Sequence, residues 1–221
     1  MSITVQPEIW SRFPDMRILC VRGAGLDNLT PNPGTTALLQ AAQDSISAES
    51  LTHEHLLLWR QAYEHVGISM GKYPCSIQAM VKRIAKGGRV PSINPLVDLY
   101  NAVSIANITP LGGLDLDQLE GSQQLRLTKA DELFISIGDS EPDTVHAGEI
   151  CYSDDHDVIT RHFCWRQAQK GSIQPETRRF MLIAEILGEM PDSLLGNVQK
   201  QLVERLLQYF EVKAEVTIVA A

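Results

Sequence analysis

Along residues 52–66 the side chains Leu56, Trp59, Tyr63 and Val66 return at steps of three and four, the period of a helix with one buried face. Helices are also predicted over 35–47, 76–86 and 96–107. Gly87-Gly88 stops the 76–86 helix, and Pro91 and Pro95 bracket the start of the next, with Pro110 just past its end. Leu194, Val198, Leu202, Leu206 and Phe210 repeat every four residues and predict a helix over 193–210. Between these segments the pattern shortens to that of strands, over 16–22, 125–127, 133–137, 149–152, 158–165 and 214–219. Phe180 to Leu187 is continuously apolar except for Glu185, as in a buried strand. A short strand at 3–5, a helical turn at 8–12 and a Pro/Asn/Gly turn at 30–34 complete the outline. The expected fold is α+β: a helical first third and a central helix packed on a mostly antiparallel sheet, one domain over 1–221.

Composition narrows the function classes. The chain of 221 residues is 44% hydrophobic and 21% charged, ordinary for a soluble globule. No apolar stretch reaches the ~18 residues of a membrane span. The start lacks a basic segment followed by an apolar block, so a cytoplasmic address and no membrane partner are expected. Cys20, Cys75, Cys151 and Cys164 are scattered without a C-x-x-C pair, so neither a disulfide framework nor a zinc ribbon is expected. A net charge of −8 argues against a protein that coats DNA, but local basic groups can override the mean. Lys82, Arg83, Lys86 and Arg89 form one such group; Arg161, Arg166, Lys170, Arg178 and Arg179 form a second. A solvated face is the plain alternative for each.

The segment 88–121 is the most informative. Asn94, Asp98 and Asn101 are spaced i, i+4, i+7 and share one face of the predicted helix. A polar stripe in an apolar segment must be hydrogen-bonded or put to use. Pro110-Leu111-Gly112-Gly113 follows as a turn, then Asp115-Leu116-Asp117 and Glu120-Gly121. Together with Asn94-Pro95-Leu96-Val97-Asp98, these motifs resemble the tRNA-binding and editing module of the phenylalanyl-tRNA synthetase beta subunit. The resemblance is closer to the free-standing proteins built from that module. Gly148-Glu149-Ile150, Trp165-Arg166 and Pro175-Glu176-Thr177 extend it, and it spans roughly residues 75 to 190.

The resemblance implies hydrolysis of an ester between a wrongly attached amino acid and the terminal ribose of tRNA. Such a reaction needs a held water, a donor for the developing oxyanion and a pocket that sorts the acyl group. On this reading Gly112, Gly113 and Glu149 surround the ester, with Gly148 beside them. Asn94, Asp98, Asn101 and Asp115 support the pocket, while Lys82, Arg83, Lys86, Arg89, Trp165 and Arg166 meet the tRNA end. No cofactor or metal is implied. One departure stands out: the synthetase module carries a His-Ala pair where this chain has Gly112-Gly113, so a different pocket shape is expected. The free-standing relatives commonly have small residues there. No synthetase catalytic motif is present, so aminoacylation is not expected.

Other groupings point to no further chemistry. His53 and His55 fall on different helix faces and do not suit a shared metal. Asp154, Asp155, His156 and Asp157 read as a solvated turn. His162 and Cys164 alternate onto one strand face but lack further ligands. Gly23-Ala24-Gly25 lacks the third glycine of a dinucleotide fingerprint. Two functions remain open. One is an editing-like deacylase acting in trans on aminoacyl-tRNA. The other is a non-catalytic binder of a small amino-acid-like ligand, RNA or a protein.

Overall fold

The computed structural model describes residues 3–221. The chain enters through β1 (Thr4–Val5), α1 (Pro7–Arg12) and β2 (Arg17–Ala24). Then come α2 (Pro33–Asp44), a 3-10 turn (Ala48–Thr52), α3 (Glu54–His65), α4 (Ser76–Ala85) and α5 (Pro95–Asn107). Strands follow: β3 (Leu111–Asp115), β4 (Gln124–Leu127), β5 (Leu133–Phe134), β6 (Asp143–Thr144), β7 (Ile150–Ser153), β8 (Thr160–Arg161) and β9 (Arg166–Gln167). β10 (Arg179–Ile186), α6 (Asp192–Phe210) and β11 (Glu215–Val219) close the fold, which is α+β.

Two sheets organise it. The larger is antiparallel, in the order β11-β2-β10-β3. The smaller has the order β1-β4-β7, with β1 parallel to β4 and β4 antiparallel to β7. β10 is central because its sequence leaves no polar face to solvent. From Phe180 to Ile186 every residue is buried, which requires a layer on each side of the strand. α5 packs on β3, on α2 and on α6, and α6 packs on β2.

Local chemistry explains the element ends. Asn94 caps α5: its Oδ1 accepts the Val97 N–H at 3.0 Å, and Pro95 takes the first helical position, where no N–H is needed. The segment expected as one helix over 52–66 divides, because His53 is extended (ψ 138°) and caps α3 instead of continuing the 3-10 turn. The expected strand over 158–165 is interrupted. His162 and Phe163 have φ of 45° and 66°, and they reverse the chain between β8 and β9. The bulky side chain of Phe163 tolerates that left-handed backbone because it is fully buried between Phe13 and Trp59, with ring centroids 5.1 and 5.6 Å away. Of the run 133–137, only Leu133 and Phe134 pair as a strand. Asp154 is not part of a solvated tip. It is buried, accepts backbone N–H groups of His156 and Asp157, and lies 2.8 Å from the Lys170 ammonium.

Candidate active site

A cavity of about 180 Å³ opens between the larger sheet, the start of α4, the middle of α5 and the turn joining β8 to β9. The size is comparable to apolar cavities of about 150 Å³ that accept a benzene-sized guest. Gly112 and Gly113 are in its wall, and Asn101, Trp165 and Arg166 line it as well.

The two glycines differ in role. Gly112 pairs with Ile183 of β10, and residues directly opposite each other project from the same face of a sheet. A Cβ at Gly112 would have nothing within 4 Å, so its missing side chain is open cavity space. Gly113 projects to the other face. A Cβ there would come within 2.9 Å of Tyr100 Cε1 and 3.0 Å of Ile173 Cγ1, so only glycine lets β3 lie against α5. β3 is an edge strand, and the Gly113 carbonyl faces outward to accept a hydrogen bond from Gln167 Nε2 at 2.9 Å. In an antiparallel ladder the N–H and C=O of one residue point the same way, so the Gly113 N–H also points away from β10.

The polar stripe of α5 divides its labour. Asn101 is half-buried and lines the cavity. Asn94 caps the helix and donates to the Ile173 carbonyl at 3.3 Å. Asp98 is buried and clasps the preceding loop, accepting from Ser92 Oγ at 2.5 Å, the Ile93 N–H at 2.9 Å and Thr36 Oγ1 at 3.4 Å. Asp115 is buried beyond the cavity, where it receives Thr177 Oγ1 at 2.7 Å and the Asp117 N–H at 2.9 Å. It ties the end of β3 to the Pro175-Glu176-Thr177 turn.

Glu149 and Gly148 are not in the cavity wall. Gly148 is an exposed turn residue with φ of 87°, whose N–H bonds to the Thr128 carbonyl. Glu149 is buried, and both its oxygens are occupied by Arg161, at 3.0 and 2.7 Å. Burial raises its pKa, but the hydrogen bonds and charge of Arg161 outweigh that and hold the carboxyl below its ordinary value, with His162 adding to the effect only where it is protonated. His162 lies 3.4 Å from Glu149 and stacks on Tyr73 at 3.6 Å between centroids. Burial lowers the His162 pKa, so the ring is neutral at physiological pH. This cluster holds the strained turn whose next residues, Phe163 to Arg166, form one side of the cavity.

The acid that does line the cavity is Glu185. It is 4% exposed and accepts the Tyr152 hydroxyl at 2.7 Å. Burial raises its pKa to about 7, against the lowering effect of the Tyr152 hydrogen bond. The sequence signal was the single charge in the run 180–187, since an ionisable group in a buried strand is costly unless used. Tyr152 of β7 is its partner.

The basic residues sort by partner. Lys82 and Arg83 on α4 and Lys86 at its C-terminal cap are exposed, and the same helix supplies Ser76 and Met80 to the cavity. Arg89 is 2.6 Å from Asp44. In the second group Arg161 serves Glu149, Lys170 serves Asp154 and Asp157, and Arg179 pairs with Asp117. Arg166 is exposed, lies 4.8 Å over the Trp165 ring and is 3.8 Å from Asp139. Among the described residues no three His, Cys, Asp or Glu side chains converge as metal ligands. No helix there is long and apolar enough to cross a membrane.

Comparison with known proteins adds the family. No curated protein matches the chain. Among solved structures, an N-terminal fragment of the phenylalanyl-tRNA synthetase beta-subunit from Pyrococcus horikoshii is similar at 11% identity and a TM-score of 0.47. The match covers 100% of this chain and 54% of that one, so the chain spans about half the length of that fragment. The model of the B3/4 domain, a module found in the phenylalanyl-tRNA synthetase beta subunit, matches residues 58–191, and the chain belongs to the B3/4 domain family.

Proposed function

We propose that this protein receives the acyl end of an aminoacyl-tRNA in the Gly112 cavity and hydrolyses mis-acylated tRNA in trans, as a single cytoplasmic domain. The observation that carries the reading is the open space at Gly112 beside the outward-facing backbone of Gly113. A side chain at 112 would fill the place where an acyl group fits. An edge-strand N–H beside it suits a developing oxyanion, because it is fixed by the sheet and needs no reorganisation. Water adds to the ester carbonyl carbon, the bond to the ribose oxygen breaks, and that oxygen leaves as a hydroxyl with the proton the water gives up. Glu149 has no place in this step; with both oxygens on Arg161 it positions the turn. Lys82, Arg83 and Lys86 supply a basic rim for the phosphates, and Trp165 with Arg166 offers a stacking surface for a terminal base.

The experiment is a panel of mischarged tRNAs offered to the purified protein. Release of one amino acid well above the spontaneous rate is expected. Release at the spontaneous rate for every member removes the hydrolase reading. The second reading, a non-catalytic binder, is favoured by the cavity wall itself, which holds no histidine and whose one carboxyl is deeply buried.

A further inference from the structure

Glu185 is a buried carboxyl whose counter-ion is missing. Its bonds are to the Tyr152 hydroxyl and its own backbone N–H. The titratable groups facing it are Cys20 on β2, Tyr152 on β7, Cys75 before α4 and Cys164 in the β8–β9 turn. All four have pKa values raised by burial, Cys20 and Cys75 to about 12, and are neutral at physiological pH. Among the described residues no lysine, arginine or histidine bonds Glu185 or lowers its pKa. The one cation of the cavity wall, Arg166, is exposed and stacked on Trp165.

The two buried ion pairs nearby show the contrast. Glu149 has Arg161, and Glu132 has Arg126 at 2.6 Å. Of these three acids it is Glu185 that lines the cavity, from the face that carries Gly112. Ile183, opposite Gly112, and Glu185, two residues further along β10, project to the same side. The space left by the absent side chain at 112 and the unmatched carboxyl therefore belong to one chamber. A carboxylate buried without a cation is costly unless a ligand completes it.

We propose that Glu185, steadied by Tyr152, is the specificity residue of the cavity and accepts the ammonium group of its occupant, so that the site selects primary amines of benzene-like size over their neutral isosteres. The proposal rests on reading this cavity as the acyl site, where the ammonium would be that of a free amino acid moiety. Acyl groups with a blocked or absent amino group are then excluded, because they would leave the carboxylate buried and unpaired. Tyr152 is a positioning residue: its hydroxyl holds the carboxylate and favours the ionised form.

The test uses the full chain and two probes, phenethylamine and 2-phenylethanol, titrated by calorimetry at pH 8 and pH 6. The amine is expected to bind roughly tenfold or more tightly than the alcohol at pH 8, as befits a charge-assisted hydrogen bond. That preference should shrink at pH 6, where the carboxyl is mostly protonated. Glu185→Gln should remove the preference at both pH values. Tyr152→Phe should keep the preference but move its pH midpoint upward, which loss of packing alone would not do. Equal binding of the two probes, binding of neither, or a preference that is independent of pH in the unmodified protein overturns the proposal. Turnover is not read in this assay. Deacylation without amine preference would sink the Glu185 assignment alone, and amine preference without deacylation would sink the hydrolase alone.

Discussion

Arg161 holds both carboxylate oxygens of Glu149, through Nε at 3.0 Å and a terminal nitrogen at 2.7 Å, and the two residues are about equally buried. Removing one member of such a pair leaves an uncompensated charge in the interior. Arg161→Met is therefore expected to cost about 3–5 kcal/mol, measured by urea denaturation. The double variant Arg161→Met/Glu149→Leu should recover much of the loss, since two apolar residues replace a buried ion pair. A single Arg161→Met cost below about 1 kcal/mol would show that the pair is not the clamp of the β8–β9 turn.

Glu185 gives a pH prediction with a definite sign. Its folded-state pKa is raised from 4.5 to about 7, so between those values the folded protein holds more protons than the unfolded chain. Stability from this group is then highest below pH 4.5 and falls as pH rises toward 7. The full loss is at most about 3 kcal/mol, from 1.36 kcal/mol per pKa unit. Glu185→Gln keeps an acceptor for Tyr152 and cannot ionise. It is expected to melt higher than the unmodified protein at pH 8, with the gain disappearing by pH 4.5. A thermal melt series across that range reads it directly; a Glu185→Gln gain that is flat with pH would contradict the assignment.

The glycine pair separates space for a ligand from space for a helix. Gly112→Ala meets no atom within 4 Å and should leave stability within about 0.5 kcal/mol, as ordinary substitutions away from packed sites do. Gly113→Ala drives a methyl against Tyr100 and Ile173 and should cost about 1–3 kcal/mol. Gly112→Leu is the informative variant for function. It should keep a near-normal melting temperature while abolishing any binding in the cavity, because the leucine occupies the chamber.

Much of this was legible in the chain before the fold. The helix periods around Trp59 and Leu202 and the apolar run 180–187 found their elements, because each encodes burial in its own pattern. Asn94 and Pro95 marked the start of α5 by capping, whereas Pro110-Leu111-Gly112-Gly113, expected as a turn, runs into β3, where both glycines pair with β10. What stayed hidden was tertiary. Nothing local says that Glu149 belongs to Arg161, twelve residues on, or that Tyr152 reaches Glu185 across two sheets. The reversal at His162 and Phe163 was also invisible, since a bulky aromatic such as Phe163 rarely adopts a left-handed backbone and only its burial pays for it.

The basic residues make the last prediction, on binding of tRNA itself. Lys82 and Arg83 are exposed on α4, the helix that walls the cavity, and Lys86 is exposed at its end, whereas Arg89 is paired with Asp44. A cation already matched to an acid gains less from a phosphate than one facing water, because the new contact must replace the old. Charge reversal at Lys82 and Arg83 is therefore expected to weaken tRNA binding strongly, and reversal at Arg89 only slightly. The measurement is affinity against salt concentration. On a logarithmic plot the slope should lose roughly 0.7 for each single-stranded phosphate contact removed. An unchanged slope in the Lys82→Glu/Arg83→Glu variant would mean that α4 does not meet the nucleic acid, and the rim would have to be sought near Arg166 and Arg178, which are also exposed.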